Sequence, residues 1–326
     1  MKKVAVAVIG VGYLGRFHAQ KYAQLAACEL VAVVDARQEA REAVAAEVGS
    51  RAEADYRSLL GQVDAVSIVT PTAAHFPVAR AFLTAGAHVL VEKPITETPE
   101  QAQELIQLAA KHGCILQVGH LERFNSAILG AEEHLRAPRF IECHRLAPYK
   151  ERGTDVSVVL DLMIHDIDIV QTLVGSAITS IDAIGTPVFS EDVDIANARI
   201  RFANGCVANA TASRVSLKTE RKMRVFSDEA YVSMDLQQKI VTVIRKRPGG
   251  TAAGQLPVSI EERNFEPGDA LKAEIDSFLT CIQLGRTPVV SGEAGLAALQ
   301  TAIQITAQVQ QGLQRRGGPP LVCPAP

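Results

Sequence analysis

The sequence predicts an α/β amino-terminal Rossmann domain, a doubly wound parallel sheet, followed by an α+β carboxyl-terminal domain with a large, open, mostly antiparallel sheet. Three observations carry this. Apolar runs alternate with helix-period segments over the first 120 or so residues, the first run leads into G-x-G-x-x-G, and six strand-like runs follow one another from Ile178 to Arg245.

Lys3 to Ile9 is a continuous Val/Ala/Ile run, as a parallel strand covered on both faces requires. Gly10-Val11-Gly12-Tyr13-Leu14-Gly15 follows, then the periodic segment Arg16 to Leu25. Glycines between strand and helix permit a tight turn and let backbone amides approach a pyrophosphate. The next apolar strand, Leu30 to Val34, ends in Asp35, where an acid holds a ribose 2′-hydroxyl and repels a 2′-phosphate. NAD is therefore expected over NADP, although Arg37 is a cation that can accommodate that phosphate or stack on adenine. Asp35 can also cap the helix expected from Arg37 to Val48, a use compatible with binding.

Asp64 to Val69 reads as a strand, Thr70-Pro71-Thr72 as a turn, and Ala73 to Ala85 as a helix capped by Gly86. Thr70 and Pro71 thus stand at a carboxyl strand end, where ligands bind in open α/β sheets. His75 either lines that crevice or packs as a polar core residue. Val89-Leu90-Val91-Glu92-Lys93-Pro94 is a buried strand stopped by a residue that cannot donate to a ladder, which leaves Lys93 at the carboxyl end of a central strand. Taken alone, that triplet is better read as ordinary loop charges, and it is the rest of the chain that points to a ligand site. Thr98, Pro99 and Gln101 form a capping box for a helix to Lys111, Gly113 ends it, and Cys114 to Val118 is the next strand.

Glu122 to Leu135 reads as a helix with Arg123 and Asn125 near its start, Arg139 to Leu146 as a strand, and Thr154 to Val174 as a long helix. On that helix Asp161, His165 and Asp168 share one stripe. A carboxylate one turn from an imidazole holds its tautomer and raises its basicity, which a proton-transferring histidine needs. A core histidine beside a structural carboxylate, or two ligands of a metal site, would give the same spacing. Third and fourth ligands do not accompany the pair, so no metal is expected.

The six later strands are Ile178 to Pro187, Val193 to Phe202, Val207 to Arg214, Lys222 to Ser227, Ala230 to Leu236 and Ile240 to Arg245. Asn204-Gly205 predicts a hairpin with a type I′ turn and positive φ at both positions. In the strand before it Ala196, Ala198, Ile200 and Phe202 fall on one face, Asn197, Arg199 and Arg201 on the other. The polar face suits an oligomer interface or plain solvent. Pro248 to Gly254 reads as a flexible loop, and Pro267 to Leu284 and Glu293 to Leu313 as amphipathic helices. The expected domains are residues 1–121, 122–313 and a disordered tail, 314–326.

Bulk properties narrow the function. A chain of 326 residues, 48% hydrophobic and 21% charged, has room for two cores. A formal charge of -3 gives no electrostatic case for nucleic acid or an anionic membrane, and no apolar run is long enough to span a bilayer. Met-Lys-Lys before an apolar run imitates a signal peptide, but Arg16, His18 and Lys21 follow at once without a small-residue cleavage site. Six singly placed cysteines fit reduced thiols in the cytoplasm.

Gly10 to Gly15, Thr70-Pro71 with His75, Glu92-Lys93-Pro94, Asp161 with His165, and the closing pattern of Leu271, Glu274, Gly285, Pro288 and Gly292 together resemble the Gfo/Idh/MocA oxidoreductase family over nearly the whole chain. The resemblance implies NAD(P)-dependent chemistry at CH–OH groups. Lys93 and His165 would face the reacting carbinol, with Asp161 orienting His165 and all three touching substrate. Gly10, Val11, Gly12, Tyr13, Leu14, Gly15, Asp35, Arg37, Thr70, Pro71, His75, Glu92 and Lys93 would line the cofactor.

A narrower likeness lies in Gly119 to Asn125, His144 to Pro148 and Leu160 to Asp166. These stretches resemble the UDP-N-acetylglucosamine 3-dehydrogenases of bacterial lipid A synthesis and, more loosely, the uronic-acid 3-dehydrogenases of O-antigen synthesis. The likeness implies oxidation of a nucleotide-sugar 3-hydroxyl. Arg123, through a diphosphate, and Asn125 are the expected further substrate contacts. Two departures stand out: Thr154-Asp155-Val156-Ser157 replaces a glycine-rich segment common in relatives, and Ser126 stands where they often carry proline. Two alternatives stay open, a dehydrogenase or reductase of a free cyclitol or monosaccharide, and a non-catalytic regulator that senses a dinucleotide. A homodimer or homotetramer through the open sheet face is expected.

Overall fold

A computed structural model of the chain describes residues 3–149, 157–247, 257–266 and 268–316. The expected loop at Pro248 to Gly254, Thr154 to Val156 of the expected long helix, and 317–326 of the expected tail lie outside the described residues. The chain divides into two compact units, Met1–Phe124 with Asp269–Leu299, and Asn125–Gly268 with Gln300–Pro326.

In the first unit β1 (Val4–Ile9), α1 (Tyr13–Gln24), β2 (Cys28–Val34), α2 (Gln38–Val48), β3 (Arg51–Glu53), β4 (Ala65–Ile68), α3 (His75–Thr84), β5 (His88–Glu92), α4 (Pro99–His112) and β6 (Leu116–Gly119) alternate along the chain. The strands pair in parallel in the order β3-β2-β1-β4-β5-β6. Strand order reverses between β1 and β4, and the ligand crevice of such sheets opens outside the carboxyl ends at that point. Burial on both faces explains the unbroken apolar runs, since β4 and β6 are buried at every position. The capping box forms as expected: the Thr98 hydroxyl accepts from the Gln101 amide, Pro99 opens α4, and Gly113 closes it at φ 65°.

The segment 269–299, which the linear boundary at 121/122 assigns to the second domain, packs with the first unit. Asp269 caps helix α7 (Ala270–Leu284) by accepting from the Lys272 amide. Leu271, Ile275, Phe278 and Leu279 of α7 then enter the core of Val6, Val8, Ala19 and Tyr22.

The second unit holds α5 (Ser126–Ala131), β7 (Phe140–Leu146), α6 (Ile164–Val174), β8 (Ile178–Thr186), β9 (Ile195–Phe202), β10 (Val207–Ser213), β11 (Glu220–Phe226), β12 (Ala230–Asp235), β13 (Ile240–Lys246) and β14 (Val258–Asn264). They form an eight-stranded sheet in the order β14-β13-β12-β11-β7-β10-β9-β8, antiparallel except where β7 meets β10. Alternation in β9 is as read: Ala196, Ala198, Ile200 and Phe202 are buried, and Asn197 and Arg201 are exposed.

Four expectations need correction. The helix expected over Glu122 to Leu135 is broken into a 3-10 turn (Leu121–Phe124), α5 and a second 3-10 turn (Glu132–His134). Asn125 causes the break, because its extended backbone (ψ 126°) ends the first turn and its side chain caps the next helix. The Asn204-Gly205 hairpin is not a type I′ turn. Only Gly205 has positive φ, 86°, and Phe202 and Cys206 close a three-residue loop. Strand β14 was not expected, because its charged, mostly exposed residues mark an edge rather than a core strand. Helix α8 (Gly292–Arg316) runs three residues into the expected tail. Among the described residues no helix is long and apolar enough to cross a membrane.

Candidate active site

Gly10 adopts φ +87°, and a Cβ there would stand 2.7 Å from the Val69 carbonyl oxygen. A side chain at Gly15 would collide with the Gly10 carbonyl, so β1, α1 and the end of β4 close on each other through glycine alone. Gly12 is different, since the nearest atom to its missing Cβ is Arg37 Nη2 at 3.9 Å. Room for a pyrophosphate thus lies over Gly12, and α1 begins with no side-chain cap, so its first amides suit an anion. The Asp35 carboxylate braces the same loop. Its Oδ2 accepts the Val11 amide at 3.0 Å and its Oδ1 the Arg37 amide at 2.9 Å. The Arg37 guanidinium stays 70% exposed, with Nε 3.5 Å from Asp35 Oδ1. Tyr13 is 73% exposed at the start of α1. This residue set fits a dinucleotide.

His75 is buried, and it ties two strand ends together. Its Nδ1 lies 2.9 Å from the Pro94 carbonyl and its Nε2 2.9 Å from the Thr70 carbonyl. Burial lowers its pKa, and the carbonyl contacts oppose that only in part. These contacts hold Thr70-Pro71 against Glu92-Lys93-Pro94. The Lys93 amide donates to Glu92 Oε2 at 3.3 Å, and the Glu92 carboxylate lies directly over Gly119, where a Cβ would meet Oε1 at 2.7 Å.

Behind Glu92 stand two further groups. His18 of α1, Glu92 and Glu274 of α7 each bring one atom within 4.8 Å of the others, and His18 Nε2 is 3.2 Å from Glu92 Oε1 without hydrogen-bond geometry. His18 and Glu274 are fully buried. Burial and then the Glu92 carboxylate push the Glu274 carboxyl well above the usual range. Arg123 belongs to this unit too, and its Nη2 donates to the Val289 carbonyl at 3.3 Å.

In the second unit Asp161 lies in a π-helical turn, Val159–Met163, that runs into α6, where His165 is the second residue. Such turns are often found at functional sites. Asp161 and His165 are both half-buried, whereas Asp168 is 2% exposed, so the expected three-residue stripe reduces to a pair near the surface and a carboxylate in the core. Asp166, beside His165, is held by Arg145 of β7 through two hydrogen bonds of 2.9 and 2.8 Å. Asn125 is 2% exposed. Its Oδ1 caps α5 at the Ala127 amide, and its Nδ2 donates to the Leu236 carbonyl at 2.9 Å.

Sequence reasoning gave no role to His18, Arg145, Asp166 or Glu274. His18 falls on the stripe of Gly15, Ala19 and Tyr22 that α1 buries, and a histidine on such a stripe was a readable signal. Glu274 among Leu271, Ile275 and Phe278 was another.

Comparison with known proteins gives matches at three levels. Residues 4–120 match the family model described as oxidoreductase family, NAD-binding Rossmann fold (GFO/IDH/MocA), and residues 132–233 match the GFO/IDH/MocA C-terminal domain. The chain is 42% identical over 313 residues to a UDP-N-acetylglucosamine 3-dehydrogenase of Acidithiobacillus ferrooxidans, covering 94% of this chain and 98% of that protein. A solved structure of that organism's UDP-N-acetylglucosamine 3-dehydrogenase superimposes with a TM-score of 0.91 at 41% identity, over 97% of this chain and 100% of the other. A scyllo-inositol 2-dehydrogenase (NAD(+)) of Bacillus subtilis is 28% identical over 332 residues, 95% of each chain.

Proposed function

This chain belongs to the Gfo/Idh/MocA oxidoreductase family, with an NAD-binding Rossmann domain, and from that premise we propose that it oxidises the 3-hydroxyl of a nucleotide sugar, UDP-N-acetylglucosamine, to the 3-keto sugar. The observation that carries this reading is the likeness to a UDP-N-acetylglucosamine 3-dehydrogenase along almost the full length of both chains. Lys93 at the end of β5 and the half-buried Asp161 and His165 support it, because they are the groups that alcohol oxidation needs.

In this reading His165 takes the hydroxyl proton, Asp161 orients its imidazole, and the Lys93 ammonium hydrogen-bonds the oxygen and steadies the charge that develops there. Bound NAD supplies the acceptor for the hydride that leaves C3. Asp35 receives the adenosine ribose, and the bare start of α1 the pyrophosphate. Arg123 reaches the sugar diphosphate. Asn125 acts at one remove, by fixing the start of α5. The product is a ketone fit for a following transamination, as lipid A synthesis with a 3-amino sugar would require. Free, singly placed cysteines support a cytoplasmic setting. The polar outer face of β9 supports a homo-oligomer.

The test is NADH absorbance on mixing purified protein, NAD and UDP-N-acetylglucosamine, with glutamate and a sugar aminotransferase to remove the ketone. A rising signal that UDP-free sugars do not give is expected. A signal with free cyclitols or monosaccharides instead would favour the second reading, which the likeness to the inositol dehydrogenase supports. No turnover on any of them, with NAD still bound, would sink both.

A further inference from the structure

Resting on the role given above to Lys93, we propose that Glu274 is a neutral carboxylic acid set against the Glu92 carboxylate, and that it positions the end of β5 from which Lys93 projects. Two carboxyl groups and an imidazole, one each from α1, β5 and α7, meet within the first unit. Glu274 is 0% exposed, and neither of its oxygens, nor either ring nitrogen of His18, has a hydrogen-bond partner among the described residues. Two carboxylates so close in a dry interior cannot both be ionised, and a buried one without a cation takes a proton. The Glu92 side chain keeps 13% exposure and Glu274 has none, so the proton belongs on Glu274. One atom of each of the three groups lies within 4.8 Å of the others.

The remaining surroundings agree. Tyr22 of α1 is buried with its hydroxyl bonded to Ser67, and burial pushes its ionisation up, so it adds no charge. Gln117 of β6 donates to the Glu274 backbone carbonyl. Glu122, in the 3-10 turn that packs on α7, is a further acid and no source of positive charge. Lys272 and Asp276 of α7 pair with each other on its exposed side. Glu92 accepts the Lys93 amide and rests on Gly119, so a second negative charge behind it would push that carboxylate out of place and the lysine with it.

The experiment is urea unfolding of the whole chain and of Glu274→Gln from pH 5 to 9, without substrate. The folded chain keeps a proton that the unfolded chain releases near its ordinary pKa of 4.5. Wild-type stability therefore falls as pH rises, and the ratio of unfolding constants, wild type over Glu274→Gln, grows about tenfold per pH unit until Glu274 itself ionises. A ratio that stays constant with pH would mean plain packing and overturn the proposal. One equivalent of divalent metal retained by the purified protein would also overturn it, since a dication would then replace the proton. If Glu274→Gln does not fold, the infrared carbonyl band of a protonated carboxyl at neutral pH in the wild type decides, its absence counting against the proposal. For the positioning role, Glu274→Ala lowers kcat by up to about a hundredfold while KM for NAD stays within about threefold, and Glu274→Gln recovers most of the loss. Full turnover in Glu274→Ala would refute positioning. Full turnover in Lys93→Ala would refute the role of the lysine instead and leave the unfolding result untouched.

Discussion

Arg145 clamps Asp166 through two parallel hydrogen bonds, with both side chains only 4% exposed. The pair fastens the first turn of α6 to β7, one residue from His165. Removing one partner strands a buried charge. Arg145→Ala is expected to lower stability by about 3–5 kcal/mol in urea unfolding. Arg145→Lys should recover less than half, because an ammonium cannot reproduce the two-pronged contact. A loss under about 1 kcal/mol in the alanine variant would mean that the pair does not hold α6.

Lys93→Ala and His165→Ala are each expected to lower turnover at least about a hundredfold, with NAD affinity nearly kept. Steady-state kinetics beside fluorescence titration of NADH separates the two effects. Near-normal turnover in either variant would remove that residue from the chemistry.

Asp35→Ala removes the acceptor for a ribose hydroxyl and the brace on the Val11 and Arg37 amides. NAD should bind about tenfold more weakly or worse, and NADP should lose its disadvantage because Arg37 remains. Calorimetric titration with both cofactors checks this. An unchanged NAD-to-NADP ratio would show that specificity lies elsewhere.

Asp194 is buried in the second unit. It accepts from the amides of Val188, Phe189 and Ser190, from the Ser190 hydroxyl and from Arg214 Nε. Burial alone would raise its pKa, but the hydrogen bonds outweigh burial and hold it below the ordinary 3.8. A lowered pKa contributes stability that is present above the unfolded value and is lost as pH falls through the folded one. Wild type should therefore lose stability more steeply than Asp194→Asn below about pH 4, while at pH 7 the variant should be weaker by at least about 2 kcal/mol. Parallel unfolding slopes in acid would contradict this.

The dinucleotide half of the site was legible because its causes are local. Glycines at Gly10 and Gly15 are forced by backbone within the same turn and the adjoining strand end, and Thr98 with Gln101 make a cap within four residues. What stayed hidden depends on partners far along the chain. Asn125 breaks the expected helix partly through its bond to the Leu236 carbonyl, 111 residues away. Asp166 has its partner on β7, and Glu274 finds Glu92 only when α7 returns to the first unit. Strand β14 was hidden for another reason, since its charges mark a good edge and a poor core.

That return of α7 also sets a timetable for the ribosome. The core that begins with Val4 and Val6 is completed by Leu271, Ile275, Phe278 and Leu279, which are made only after the whole of 125–268. At about 5–20 residues per second, the nascent Rossmann sheet waits roughly eight to thirty seconds with that flank uncovered. During this interval the side of the sheet that α7 will seal is a surface a chaperone can hold, and the eight-stranded sheet, all of whose strands lie between Phe140 and Asn264, has time to form first.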